Sequence, residues 1–91
     1  MKYDVKVAKK AQNVVDKWKK SNPQLFKKYR DLYHELADHP RTGLGHPEPL
    51  VGGSSITYSR HITASDRIIY DIYDDVVTVL VIQVESHYND K

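Results

Sequence analysis

The nine residues Val76-Val77-Thr78-Val79-Leu80-Val81-Ile82-Gln83-Val84 are the most apolar and β-branched stretch of the chain. Such side chains lose rotamer freedom in a helix and pack well on a pleated surface, so the run reads as a buried strand. It needs a sheet to pair with and a layer to be buried against. It is also far shorter than the ~20 apolar residues of a membrane-spanning helix. The strand continues through Glu85 and Ser86 to His87-Tyr88, followed only by Asn89-Asp90-Lys91. An imidazole and a phenol add little to packing there, but a rigid strand end is a good place to hold a proton donor.

The remaining elements follow from hydrophobic period. Tyr3–Val7 alternates, with Tyr3, Val5 and Val7 on one face, and predicts a short strand. Over Ala8–Lys20, Ala8, Ala11, Val14, Val15 and Trp18 recur at helical spacing, with lysines on the other faces. Ser21-Asn22-Pro23 ends that helix and starts another, because Ser or Asn caps and Pro suits a first turn. The second helix carries Leu25, Phe26, Tyr29, Leu32, Tyr33 and Leu36 to about Asp38, where His39-Pro40 stops it. Trp18, Tyr29 and Tyr33 lie on these stripes and read as core.

Arg41–Ser55, with four glycines and two prolines, reads as one long loop. Ile56–Ile62, Arg67–Tyr73 and Val76–Glu85 read as three strands, with a tight turn at Asp74-Asp75. The expected fold class is α+β, ordered β-α-α-β-β-β, as one domain over residues 1–91. A two-helix hairpin should cover one face of a small, mainly antiparallel sheet and leave the other face concave and open.

Strand alternation assigns faces. In the last strand Val76, Leu80, Ile82 and Val84 share one parity and read as core, with His87 opposite, beside Val81, Gln83 and Glu85. In the strand before it, Ile68, Tyr70 and Ile72 face one way and Arg67, Ile69, Asp71 and Tyr73 the other. The hairpin should bring His87 near Arg67. Whether Arg60 or His61 shares that face is not decided by the sequence. Glu48, in Pro47-Glu48-Pro49-Leu50, adds a carboxylate. A base, a phosphate clamp and an acid are what cleavage of RNA through its own 2′-hydroxyl requires.

Charge is distributed unevenly. Residues 1–45 carry 11 Lys+Arg against 5 Asp+Glu, a net of +6. Residues 46–91 carry 3 against 7, a net of −4, and the halves sum to the chain's +2. The basic half would attract a polyanion. With no cysteine there is neither a disulfide framework nor a thiolate metal site. His46, His61 and His87 with Glu48 match no compact zinc motif, so neither metal nor cofactor is expected. Met1–Val7 has no apolar signal core, which points to the cytoplasm and no membrane association.

The ordered set Gly45-His46-Pro47-Glu48-Pro49-Leu50, Tyr58-Ser59-Arg60-His61-Ile62-Thr63, Asp66-Arg67-Ile68-Ile69-Tyr70 and His87-Tyr88 resembles the YoeB/Txe branch of the RelE toxin superfamily. The resemblance is strong through the C-terminal half. In the N-terminal half it rests on length, helix order and charge. It implies the toxin of a type II toxin–antitoxin pair, a ribosome-dependent, metal-independent mRNA endonuclease that inhibits translation. It assigns Glu48 as base and Arg67 as phosphate binder, places His87 and Tyr88 in the catalytic set, and gives Arg60 and His61 to RNA.

The implied partners are a cognate antitoxin, the ribosome with its mRNA, and operator DNA bound through the toxin–antitoxin complex; a homodimer is left open. The chain departs from the family pattern at Val51, where Lys is common, at Arg60-His61, where two arginines are common, and at Glu85, often basic. The departures make the working face less positive. Two other readings remain: a non-catalytic nucleic-acid-binding module using Lys9, Lys17 and Lys20, and a degenerate toxin that only binds its antitoxin.

Overall fold

The computed structural model of the chain describes residues 2–43, 45, 47–50 and 56–86. Strand β1 (Asp4–Val7) leads into helices α1 (Lys9–Ser21) and α2 (Pro23–Asp38). Strands β2 (Glu48–Pro49), β3 (Thr57–His61), β4 (Asp66–Tyr73) and β5 (Thr78–Ser86) follow. They form one five-stranded sheet in the order β1-β5-β4-β3-β2. β1 runs parallel to β5, and every other pairing is antiparallel.

The helices form where the stripes predict. Ala11, Val15 and Trp18 of α1 and Leu25, Tyr29, Leu32 and Leu36 of α2 are buried. Asn22 joins the two helices. Its backbone N–H donates to the Trp18 carbonyl and ends α1, while its Oδ1 accepts from the Leu25 N–H and starts α2, with Pro23 in the first turn. Trp18 meets Tyr29 edge-on, with ring centroids 6.5 Å apart. Both stripes pack on Ile68, Tyr70, Ile72, Val79, Val81 and Val84. The hairpin therefore covers one sheet face. The expected α+β architecture is the one observed, with one short strand, β2, added to the expected order, and no helix among the described residues is long and apolar enough to cross a membrane.

Three details differ from the sequence reading. First, the long segment after α2 is not all loop, because Glu48–Pro49 pairs with Ser59 and Tyr58 as an edge strand. Proline is tolerated there since an edge strand has one unpaired side. Second, the last strand begins at Thr78 rather than Val76. Asp74–Val76 makes a tight helical turn, closed by Val77 at φ 49°, and Val76 is exposed.

Third, the core parity of β5 is reversed over its first half. Val79 and Val81 are fully buried against the helices, and Leu80 pairs with Asp71 on the open side. Tyr70 pairs with Val81 but Ile69 pairs with Gln83, so Ile82 is an extra residue on β5. Such a bulge switches the alternation without changing composition. Val84 consequently returns to the core face, where the sequence reading also put it.

Candidate functional site

Glu48 is carried by the outermost strand, and Gly45 explains why that strand lies so close to β3. Gly45 has φ +79°, and its carbonyl accepts the His61 N–H at 2.8 Å. A Cβ at position 45 would lie 2.5 Å from the His61 carbonyl oxygen. Only glycine gives both the left-handed backbone and the close approach. Further along, the Leu50 N–H reaches the Thr57 carbonyl at 2.8 Å, so Pro47–Leu50 is held along β3 from both ends.

Register then places the side chains. Glu48 pairs with Ser59, Ser59 with Ile69 and Ile69 with Gln83, which makes one row across the sheet. The next row is His61, Arg67 and Glu85. Cross-strand partners share a face, and this face is the one turned away from the helices. Glu48 and His61 are exposed, and Arg67 is half-buried. Two strand spacings of ~4.8 Å and two residues of ~3.3 Å put the Cα atoms of Glu48 and Arg67 roughly 12 Å apart, enough to admit a ribose and its phosphate between long side chains.

The sequence neighbours Arg60 and His61 part company on the pleat. His61 joins Arg67, whereas Arg60 points into the helix layer with its side chain 0% exposed. Its Nε donates to the Tyr70 hydroxyl at 3.0 Å, Nη1 to Glu35 Oε1 at 2.5 Å and Nη2 to the Thr42 carbonyl at 2.9 Å. Nη2 also donates to the His39 carbonyl at the end of α2. The Tyr70 hydroxyl in turn donates to the Pro40 carbonyl at 2.7 Å. Five donors in a rigid fork suit such a multi-acceptor site. The expectation that Arg60 contacts RNA is thus corrected: its guanidinium is enclosed by protein acceptors and ties the end of α2, and the chain leading to Glu48, onto the sheet.

Just past α2, Arg41 grips Asp74 with both terminal nitrogens, at 3.2 and 2.9 Å, and the Tyr3 hydroxyl donates to the same carboxylate at 2.5 Å. Hydrogen bonds from Arg41 and then Tyr3 hold the Asp74 carboxyl below its ordinary range. The cluster closes the sheet end opposite the His61–Arg67 row.

On the open face Arg67 has a partner that motif reading did not supply. Its Nε donates to Glu85 Oε1 at 3.0 Å, and Glu85 Oε2 accepts from Gln83 Nε2 at 2.8 Å. Counting residues from the Asp74 turn puts Glu85 near Arg67, but the bulge at Ile82 leaves the pairing unresolved without coordinates. Asp71 lies on the same face, accepting from Thr57 Oγ1 at 2.6 Å and from the Tyr73 hydroxyl at 3.0 Å. By register the described open face carries Glu48, Asp71 and Glu85 around Arg67, with His61 beside it, and the Asp4–Lys6 pair on the far edge strand. Most exposed cations sit on the helices: Lys9, Lys10, Lys17, Lys19 and Lys20 on α1, and Lys27, Lys28 and Arg30 on α2. His87 and Tyr88, and the expected approach of His87 to Arg67, lie outside the described residues, as do His46 and Val51.

The chain matches, over residues 3–88, the family described as the YoeB-like toxin of bacterial type II toxin–antitoxin systems. A YoeB toxin from Streptomyces coelicolor is 34% identical over 71 residues, which span 78% of this chain and 82% of that protein. Among solved structures, a YoeB/ParE toxin from Agrobacterium tumefaciens superposes with a TM-score of 0.82 at 29% identity, covering 93% of this chain and 99% of that one. A YoeB–YefM complex from Staphylococcus aureus superposes with a TM-score of 0.77 over 97% of this chain and 100% of the other. At 21% identity that last likeness speaks to the fold alone.

Proposed function

The chain belongs to the YoeB-like toxins of bacterial type II toxin–antitoxin systems, and from that premise we propose that it is a metal-independent endoribonuclease acting on mRNA at the ribosome. The observation that carries the reading is the alignment of Glu48, His61 and Arg67 on one open face, fixed by strand register and not by flexible loops. Glu48 takes the proton of a 2′-hydroxyl, and the freed oxygen attacks the adjacent phosphorus. Arg67 stabilises the charge that grows on the phosphoryl oxygens, with His61 alongside to hold the RNA. His87 protonates the departing 5′-oxygen, and Tyr88 stacks on a base or orients the phosphate. The products are a 2′,3′-cyclic phosphate and a 5′-hydroxyl end.

The antitoxin is the protein partner, as YefM is for the S. aureus YoeB complex. The lysine-rich helices, opposite the reaction face, are the surface for ribosomal RNA. In this reading the protein works in the cytoplasm, where translated mRNA is found, and reaches operator DNA only through its antitoxin.

The acidic surroundings of Arg67 favour one second reading, a toxin that has lost cleavage and only binds its antitoxin. Mapping of 5′ ends on programmed ribosomes decides between them. Cleavage that falls ~10²–10⁴-fold in Glu48→Gln and is lost in His87→Ala supports the catalytic reading. No cleavage by the parent protein, or equal cleavage by the variants, refutes it.

A further inference from the structure

On the proposed reading, Arg67 receives the scissile phosphate, and the structure shows a second anion already beside it. Glu85 Oε1 is 3.0 Å from Arg67 Nε, with the two side chains 23% and 34% exposed. The contact is built rather than incidental. Arg67 and Glu85 are direct cross-strand partners, and Gln83 Nε2 fixes the other carboxylate oxygen at 2.8 Å. The Arg67 guanidinium makes no other hydrogen bond among the described residues. The carboxylate thus occupies the Nε edge of the guanidinium and leaves the terminal Nη pair as the edge for a phosphate.

We propose that Glu85 is an internal counter-ion that positions Arg67 and attenuates phosphodiester binding at the reaction face. Two consequences follow from this arrangement. The hydrogen bond at Nε restricts the guanidinium to one orientation, so a phosphate is received end-on. The negative charge repels that phosphate from a distance of ~6 Å, which at an effective dielectric of ~40–80 weakens binding about 3- to 10-fold. The pair is also close enough to the surface for salt to screen the repulsion. Affinity for RNA is in this way set by a residue that touches neither the 2′-hydroxyl nor the leaving oxygen.

The test uses the full chain and a short, fluorescently labelled 2′-O-methyl oligoribonucleotide, which carries phosphodiesters but cannot be cleaved. Anisotropy titrations compare the parent, Glu85→Gln, Glu85→Asp, Arg67→Ala and the Arg67→Ala/Glu85→Gln double variant, each checked by a thermal melt. Glu85→Gln is expected to bind about 3- to 10-fold more tightly at low salt, and the gain should shrink towards unity by ~0.5 M salt. Glu85→Asp, which keeps the charge, should stay within about twofold of the parent. The gain should vanish in the Arg67→Ala background.

If Arg67→Ala weakens binding but Glu85→Gln does not tighten it, the counter-ion role is overturned while the phosphate-binding reading of Arg67 stands. A gain in Glu85→Asp equal to that in Glu85→Gln overturns it too, because packing rather than charge would then be responsible. If Arg67→Ala binds as the parent does, both readings are overturned.

Discussion

Replacing Arg60 by Met removes a buried guanidinium while keeping most of the side-chain volume. In the folded protein Glu35 Oε1 and the carbonyls of His39 and Thr42 all lose this donor, and the Tyr70 hydroxyl loses the one it accepts from Nε. Removing one partner of a buried ion pair costs about 3–5 kcal/mol, mostly through the charge left behind. The Glu35 side chain keeps 22% exposure and re-solvates in part, which draws the expected loss toward about 3 kcal/mol. A domain of this length has roughly 5–14 kcal/mol of stability in total. The change therefore removes a large fraction of it and lowers Tm by at least roughly 12 °C.

Urea unfolding monitored by Trp18 fluorescence, with Glu35→Gln and the double variant, measures both the loss and the coupling between the partners. A loss under about 1 kcal/mol, no larger than that of Lys9→Ala on the exposed face of α1, would refute the clamp. It would also restore Arg60 as a candidate for the RNA contact. A large loss with strong coupling to Glu35 would be incompatible with a guanidinium held ready for substrate.

Gly45→Ala forces a side chain into the left-handed backbone 2.5 Å from the His61 carbonyl oxygen; it should cost about 1–3 kcal/mol in urea unfolding. Because the same contact seats Glu48, the proposed mRNA cleavage on the ribosome should fall by more than the unfolded fraction accounts for, and a proportionate fall would sever that link. Asp74 is predicted to shape the acid limb of stability. Its folded pKa lies below the ordinary value of 3.8, so its contribution is complete above that pH and is lost as pH falls through the lower folded value. Thermal melts between about pH 5 and pH 2 should show a shallower decline for Asp74→Asn than for the parent, and parallel declines would count against the Arg41–Asp74–Tyr3 tie.

The sequence by itself determined the order of the two helices and the four longer strands, the two helical stripes, the Asn22-Pro23 junction and the core face of β4. Those features are local: a period of 3.6 or 2, a capping side chain and a proline each act within a few residues. Motif spacing also drew Glu48, His61 and Arg67 to attention before any coordinates. Tertiary structure decided what depends on register between distant segments.

The extra residue at Ile82 reverses the parity of β5, since a bulge is set by how two strands pair and leaves no mark in composition. The side on which Arg60 lies followed from the acceptors offered by the end of α2, which its own strand does not reveal. The Arg67–Glu85 pair likewise exists because β4 and β5 meet in one particular register. Chemistry-bearing residue types could thus be read from the chain, but which of them face the same solvent was settled only when the sheet closed.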